Sequence, residues 1–536
     1  MKKTFNIAGP CIYGKHYMAD TMQKIEQLVI MITKGDYFTI NRPRQYGKTT
    51  TIHLLETRLS SDFLVISTSF EGVGDDLFNT EEAFCSTIFK IMSKSIRFKD
   101  KETSGLLLKH ADNIKSFFEL SESITIITEQ SHKKIILLID EVDKSSNSKT
   151  FLQFLGLLRN KYTAASIGND ITFHSVILAG IHDIKNLKLA IRDENEARFN
   201  SPWNIAAKFD LDMSLSAAEI ATMLMDYQNE NQTDMDIHAI SSEIYDFTSG
   251  YPYLVSDICK TIDESLDKDF SINGVYNATK QIMKEKNTLF DDLIKNIENN
   301  EEIKTVVYEL LVEGSRINYD PYTFEKGIMY GIFRADGNKL VVHNKIYQEL
   351  IYSYLTEQEN IRKMASRFRN VDESQFIKGT GLDMEKILLK FQEFMAEEYR
   401  HETGKFYETY GRLIFLAYLK PIINGKGFSF VEPQTRENKR MDIVIVYGPD
   451  KYVVELKIWR GEKFERKTLS NIELMSAEAD KGCKYEEAGL NQLADYMRIQ
   501  KVKKGYLIIF DAGNTKKEDS AGWKDIGDRK VFEVIC

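Results

Sequence analysis

Residues 37–59 read YFTINRPRQYGKTTTIHLLETRL, and their reading decides the fold of the first half of the chain. Tyr37–Ile40 is a short apolar, β-prone run. A polar turn with Gly47 follows, and then a stretch with helical spacing of Ile52, Leu55 and Leu59. Strand, glycine turn, Lys-Thr and helix together make a phosphate cradle. Backbone N–H groups at a helix start point at the anion, a lysine reaches its oxygens, and a hydroxyl meets a hard cation. Arg44, Gln45, Tyr46, Gly47, Lys48, Thr49 and Thr50 are the residues expected to hold the phosphates, with Lys48 on the outermost pair and Thr49 on Mg2+. The pattern G-x-x-x-x-G-K-[ST] is broken at its first place, where Arg42 stands for glycine.

A partner motif lies downstream. Residues 135–144 read IILLIDEVDK, an apolar run of the kind buried on both faces of a parallel sheet. Asp140 at its end is placed to hold Mg2+ through water, and Glu141 to orient an attacking water. The two motifs predict a P-loop ATPase core that takes ATP and Mg2+, over residues 1–210. A second buried strand is expected in HSVILAGIHDIKNL (174–187), with His182 or Asp183 as a sensor of the terminal phosphate. Arg192 and Arg198 are candidate arginine fingers. Residues 211–286 have helical spacing (Ile220, Met223, Leu224, Tyr227) and read as a lid, with Gly250 and Pro252 at a helix start. Residues 287–355 combine helices with a hairpin signal at Asp336-Gly337, as in a winged helix, which serves either DNA binding or packing. Residues 356–383 read as a linker.

The last part, 384–536, holds a second constellation. Met441 to Lys457 reads MDIVIVYGPDKYVVELK, two apolar strands around a turn at Gly448, Pro449 and Asp450. Residues two apart on a strand share a face, so Glu455 and Lys457 project together, and the hairpin is able to bring Asp442 to the same end. Carboxylates suit Mg2+. A metal-activated water and a lysine suit phosphodiester hydrolysis. A long apolar segment with Glu408 precedes the hairpin. An aromatic and basic stretch follows it, and then NQLADYM, in which Gln492 and Tyr496 lie four apart on one helix face.

Bulk properties narrow the class. The chain has 536 residues, enough for two to four domains. Its 43% hydrophobic and 28% charged content is ordinary for a soluble globular protein. No apolar run has the length of a membrane span, and the N-terminus lacks the apolar core of a signal peptide. Five scattered cysteines fit a reducing, cytoplasmic setting. The net charge of −9 argues against a uniformly DNA-coating protein. From Lys386 onward, however, Lys and Arg slightly outnumber Asp and Glu, so the mildly basic part is the one with the second constellation.

The C-terminal residues resemble a PD-(D/E)xK nuclease of the RecB-like branch, with Met441 where the superfamily name has proline. The resemblance implies that Asp442 and Glu455 hold metal and that Lys457 is the catalytic lysine. It also implies that Glu408 is the acid of the first helix and that Gln492 and Tyr496 support the site or the DNA. The N-terminal half, on YFTINRPRQYGKTTT, LLIDEVDK, LAGIHDIKNLK and SPWNIAAKF, resembles the AAA-like ATPases that are often fused to such a nuclease, in which the first P-loop glycine is commonly replaced. The expected fold class is therefore an α/β multidomain chain: a P-loop parallel sheet with helical lid and winged helix, then an α/β nuclease-like domain. The expected function is ATP-controlled, Mg2+-dependent cleavage of nucleic acid, DNA rather than RNA, in defence against phage or mobile DNA. The alternative is a STAND-like switch whose nuclease-like domain binds without cutting. Homo-oligomers are common for ATPases of this type.

Overall fold

The computed structural model describes residues 2–142, 148–180, 203, 205–207, 209, 211–285, 287–313, 315, 317–357, 373–399, 404–423, 427–432, 442–448, 450–459, 493–494, 497–498, 502–511 and 520–536. The chain forms two compact units. The first is Met1–Lys284 with Glu325–Ile332, and the second is Glu285–Phe324 with Phe333–Cys536.

In the first unit, α1 (Met22–Lys34) precedes β1 (Phe38–Asn41), α2 (Lys48–Leu59) and β2 (Leu64–Ser69). Three helices follow, α3 (Glu81–Ile96), α4 (Lys101–Ala111) and α5 (Phe117–Gln130), each started by a side-chain cap from Thr80, Asp100 or Ser116. Then come β3 (Ile135–Asp140), α6 (Lys149–Ser166) and β4 (Ser175–Gly180). The strands lie in the order β1-β4-β3-β2, all parallel. A parallel bridge from Phe38 to Ala207 adds a segment on the other side of β1. Every residue of β3 and β4 is buried, as apolar strands covered on both faces must be. One face packs with Ile66, Phe84, Ile139 and Phe151, the other with Leu28, Phe38, Ile52 and Leu55.

Four further helices, α7 (Ala217–Asn231), α8 (Ile237–Thr248), α9 (Pro252–Ser265) and α10 (Ile272–Lys284), occupy the stretch expected to be a lid. Ser216 and Glu219 form a capping box at the start of α7. Gly250, with φ +73°, makes the turn into α9, and a Cβ there would lie 2.0 Å from the Leu215 carbonyl oxygen. Only glycine fits this approach. The short helix Glu325–Met329 and its following turn also belong to this unit. Gly331, with φ +71°, rests against Pro43, where a Cβ would come within 2.8 Å of the ring.

The second unit begins with α11 (Thr288–Glu298) and α12 (Glu301–Tyr308), which runs on into a π-helical turn, Glu309–Glu313. The hairpin β5 (Phe333–Asp336) and β6 (Lys339–Val342) turns at Gly337, and α13 (Lys345–Glu357) follows. The tiny hairpin β7 (Ile377–Lys378) and β8 (Gly381–Leu382) lies within the stretch read as a linker. Then come α14 (Met384–Glu398), α15 (Gly404–Ile423), β9 (Gly427–Glu432), β10 (Asp442–Tyr447), β11 (Asp450–Trp459), β12 (Lys504–Asp511), β13 (Ala521–Ile526) and β14 (Arg529–Ile535). The six long strands are ordered β13-β14-β12-β11-β10-β9. β9, β10 and β11 are antiparallel, β12 runs parallel to β11 and β14, and β13 closes the edge antiparallel to β14.

Side-chain alternation sorts this sheet into two faces. Phe510 packs edge-on against Phe391 of α14, and its ring sits close to Gly411 of α15. The opposite face carries Glu455 and Lys457, and Gly505 on that face meets Leu493 and Met497. The helix-and-hairpin stretch over residues 287–355 groups with this sheet except for residues 325–332. The buried Arg412 guanidinium of α15 donates to the Leu311 and Val312 carbonyls of the π-helical turn at 3.1 and 2.7 Å. The Tyr352 hydroxyl of α13 donates to the same Leu311 carbonyl at 2.8 Å.

Candidate nucleotide and metal sites

The phosphate cradle forms where β1 gives way to α2. Gln45 and Gly47 both take positive φ, 56° and 81°, which curls the turn and leaves Lys48 as the first residue of α2. The Lys48 side chain is buried, and its ammonium donates to the Arg42 and Pro43 carbonyls at 3.0 and 2.9 Å. The Thr49 hydroxyl donates to Asp140 Oδ2 at 2.9 Å. Asp140 is buried at the end of β3, and burial pushes its carboxyl above the usual range. The Thr49 hydroxyl, the Glu141 N–H and the Lys48 charge pull it back. Glu141 has φ +55°, a strain of about 1–2 kcal/mol for a residue with a Cβ. Its N–H donates to Asp140 Oδ1 at 2.9 Å. Strain of this kind collects at functional sites.

The structure thus brings Lys48, Thr49, Asp140 and Glu141 into one site. Arg44, Gln45 and Tyr46 form the turn above it, and the Thr50 hydroxyl accepts from the Cys11 N–H at 3.0 Å. Tyr251 was not singled out from sequence. Its hydroxyl donates to the Arg44 carbonyl at 2.5 Å and its ring meets Tyr46 edge-on at 4.8 Å. The signal lay inside Gly250-Tyr251-Pro252, of which only the flanking residues stood out. A hydroxyl beside a carboxylate is a donor set that fits Mg2+. His182, Asp183, Arg192 and Arg198 lie outside the described residues.

In the second unit, Glu455 is wholly buried on β11, and Lys457 Nζ lies 2.7 Å from its Oε1. Asp442 opens β10 and pairs with Glu432 of β9. Because Ile443 pairs with Val454, the backbone of Asp442 lies abreast of Glu455. Glu408 lies in α15. The side chains of Asp442 and Glu408, and the whole of Gln492 and Tyr496, lie outside the described residues. Sequence reasoning passed over Asp511, buried at the end of β12 and paired with Trp459 on the Lys457 side of the sheet. It also passed over Glu533, which holds Lys524 at 2.7 Å. Single acids within apolar strands carry no spacing signal. Among the described residues no cluster of three or more metal-ligating side chains occurs. Nor is any described helix long and apolar enough to cross a membrane.

A parallel sheet with a phosphate cradle after its first strand and an acidic pair after its third defines the P-loop ATPase class. Residues 13–353 match the AAA-like domain family, and the chain belongs to that family. Comparison with curated proteins returns no match. Among solved structures the chain is similar to the Walker-type ATPase PABY2304 of Pyrococcus abyssi, at 13% identity, covering 65% of this chain and 99% of that one with a TM-score of 0.43. It is also similar to the Aeropyrum pernix ORC1 protein in complex with DNA, at 12% identity, 65% and 94% coverage and a TM-score of 0.29. For the ADP form of ORC2 from the same organism the figures are 12%, 66%, 97% and 0.35.

Proposed function

We propose that the protein is an ATP-controlled, Mg2+-dependent nuclease that cleaves DNA phosphodiester bonds, a pairing suited to defence against phage or mobile DNA. The observation that carries the reading is the Glu455–Lys457 pair. Asp, Glu and Lys near a hairpin are ordinarily solvated, but here the carboxylate has no exposure and the ammonium lies 2.7 Å away. Placing such a pair inside a sheet costs desolvation that an apolar pair would avoid, so its presence favours chemistry over packing. The strand pattern supports it as well: an antiparallel β9-β10-β11 with β12 parallel beside β11, and α14 and α15 against Phe510 on the face opposite the pair.

At the first site, Lys48 exchanges its carbonyl partners for phosphate oxygens. Thr49 and Asp140 would hold Mg2+, and Glu141 orients the attacking water. At the second, Asp442 and Glu455 would hold Mg2+. The ion supplies charge neutralisation at the phosphate and lowers the pKa of water. Lys457 donates to the developing negative charge, while Glu408, Gln492 and Tyr496 support the site. The test is cleavage of linear and circular DNA by the full chain with Mg2+, with and without ATP, beside Asp442→Ala. Cutting that needs ATP and is lost in the variant upholds the reading. ATP hydrolysis without cutting of either DNA rejects the nuclease half.

A further inference from the structure

The arginine that breaks the phosphate-loop pattern has a place of its own in the structure. The Arg42 N–H donates to the Gly180 carbonyl of β4 at 3.1 Å, which fixes its backbone to the sheet. Its carbonyl accepts the Lys48 ammonium at 3.0 Å. Its guanidinium donates to the Asn41 carbonyl at 2.7 Å and to the Leu211 carbonyl, and lies 5.1 Å above the Phe209 ring. Phe209 stacks in turn on Phe38 of β1. Phe209 and Leu211 are in the segment that leads from the sheet to α7, the first helix of the lid. One residue therefore touches the phosphate-binding lysine through its backbone and the root of the lid through its side chain.

We infer that Arg42 is a positioning residue that couples occupancy of the phosphate site to the lid. The inference rests on the ATPase reading above. When a phosphate draws Lys48 away, the Lys48–Arg42 bond breaks and the peptide that follows Arg42 turns. The guanidinium, held between the Leu211 carbonyl and the Phe209 face, carries that turn to the start of the lid. A planar cation with several donors is able to hold a carbonyl and stack on a ring at once. Glycine, the usual residue of the pattern, has no side chain with which to do either. Coupling of this kind requires contacts that differ between the filled and empty states, and the Lys48–Arg42 bond is such a contact because phosphate competes for the same ammonium.

The experiment uses the full chain as wild type, Arg42→Gly, Arg42→Lys, Arg42→Met and Lys48→Ala. It reads kcat and KM for ATP hydrolysis, together with amide hydrogen exchange over residues 211–231 with and without a non-hydrolysable ATP analogue. In the wild type the analogue is expected to slow exchange at this segment. In Arg42→Gly it is expected to bind within about threefold of wild type yet leave the segment unchanged, with kcat lowered about tenfold and KM little moved. Arg42→Lys, which keeps one donor and a charge, is expected to recover part of both. Arg42→Met keeps an unbranched apolar side chain and the backbone N–H but lacks every side-chain N–H, so it isolates the guanidinium should the glycine variant fail to fold. An analogue without effect on wild-type exchange at 211–231, or Arg42 variants with wild-type kcat and wild-type exchange, overturns the inference. Equal hydrolysis by wild type and Lys48→Ala sinks the ATPase reading instead, and the exchange comparison then decides the coupling alone.

Discussion

Lys457 Nζ lies 2.7 Å from Glu455 Oε1 on the same strand, and the carboxylate is fully buried. Removing the lysine takes away the ammonium that sits against a buried carboxylate, so Lys457→Ala is expected to destabilise the second unit by about 3–5 kcal/mol. The double variant Glu455→Gln with Lys457→Met should recover most of that stability and none of the Mg2+-dependent cleavage. Chemical denaturation followed beside a cleavage assay separates the two effects. Full cleavage by the double variant would reduce the pair to a packing feature.

Tyr251 reaches the Arg44 carbonyl through its hydroxyl while its ring meets Tyr46. Tyr251→Phe keeps the ring contact and removes one hydrogen bond, a loss of about 1 kcal/mol. The expected result is a melting temperature within a few degrees of wild type and a weaker affinity for ATP, because the turn that carries Gln45 and Gly47 is less well held. Unchanged nucleotide affinity by titration calorimetry would assign Tyr251 to packing alone.

Gly250 has the positive φ and the contact with the Leu215 carbonyl that exclude a Cβ. Gly250→Ala is expected to cost several kcal/mol, more than the about 1–2 kcal/mol of the backbone conformation alone. The loss should appear as early melting of the first unit, read by hydrogen exchange in α7 and α9. A wild-type exchange pattern there would show that the Leu215 segment moves aside at little cost.

Glu349 of α13 gives a pH dependence. Its Oε2 is buried without a hydrogen-bond partner among the described residues, and burial pushes the carboxyl up to about 7, against the pull of Lys420. The folded state therefore binds a proton that the unfolded state releases near its ordinary value of about 4.3. Stability contributed by this group is intact below that value and is lost as pH rises toward 7. Glu349→Gln is expected to match wild type at pH 4 and to exceed it by about 3 kcal/mol at pH 8. Thermal melts at the two pH values check the difference, and equal melts at pH 8 would refute it.

Much of this architecture was legible locally. The run Ile135–Asp140 is apolar at every place before its acid, and it is buried at every place in the sheet. Asp336-Gly337 marked a hairpin that forms between β5 and β6. The spacing of Glu455 and Lys457 put them on one strand face, and their ion pair follows from that geometry. What local pattern did not disclose depends on distant partners. The carbonyl that Arg42 meets is 169 residues away, and Arg412 reaches carbonyls about a hundred residues earlier. Neither leaves a periodic trace. β13 was equally hidden. It lies at the edge of the sheet beside β14, and its residues alternate between exposed and half-buried, so no buried apolar run marks it.

The turn at Gly331 makes the first unit discontinuous in sequence, because residues 325–332 return to it after forty residues that belong to the second. Neither unit is excised whole by a single cut. A fragment ending at Lys284 leaves the Pro43 ring uncovered by its native neighbour, and a fragment starting at Glu285 carries an eight-residue stretch with nowhere to dock. A cut anywhere in residues 285–324 therefore separates part of the first unit from the rest of it.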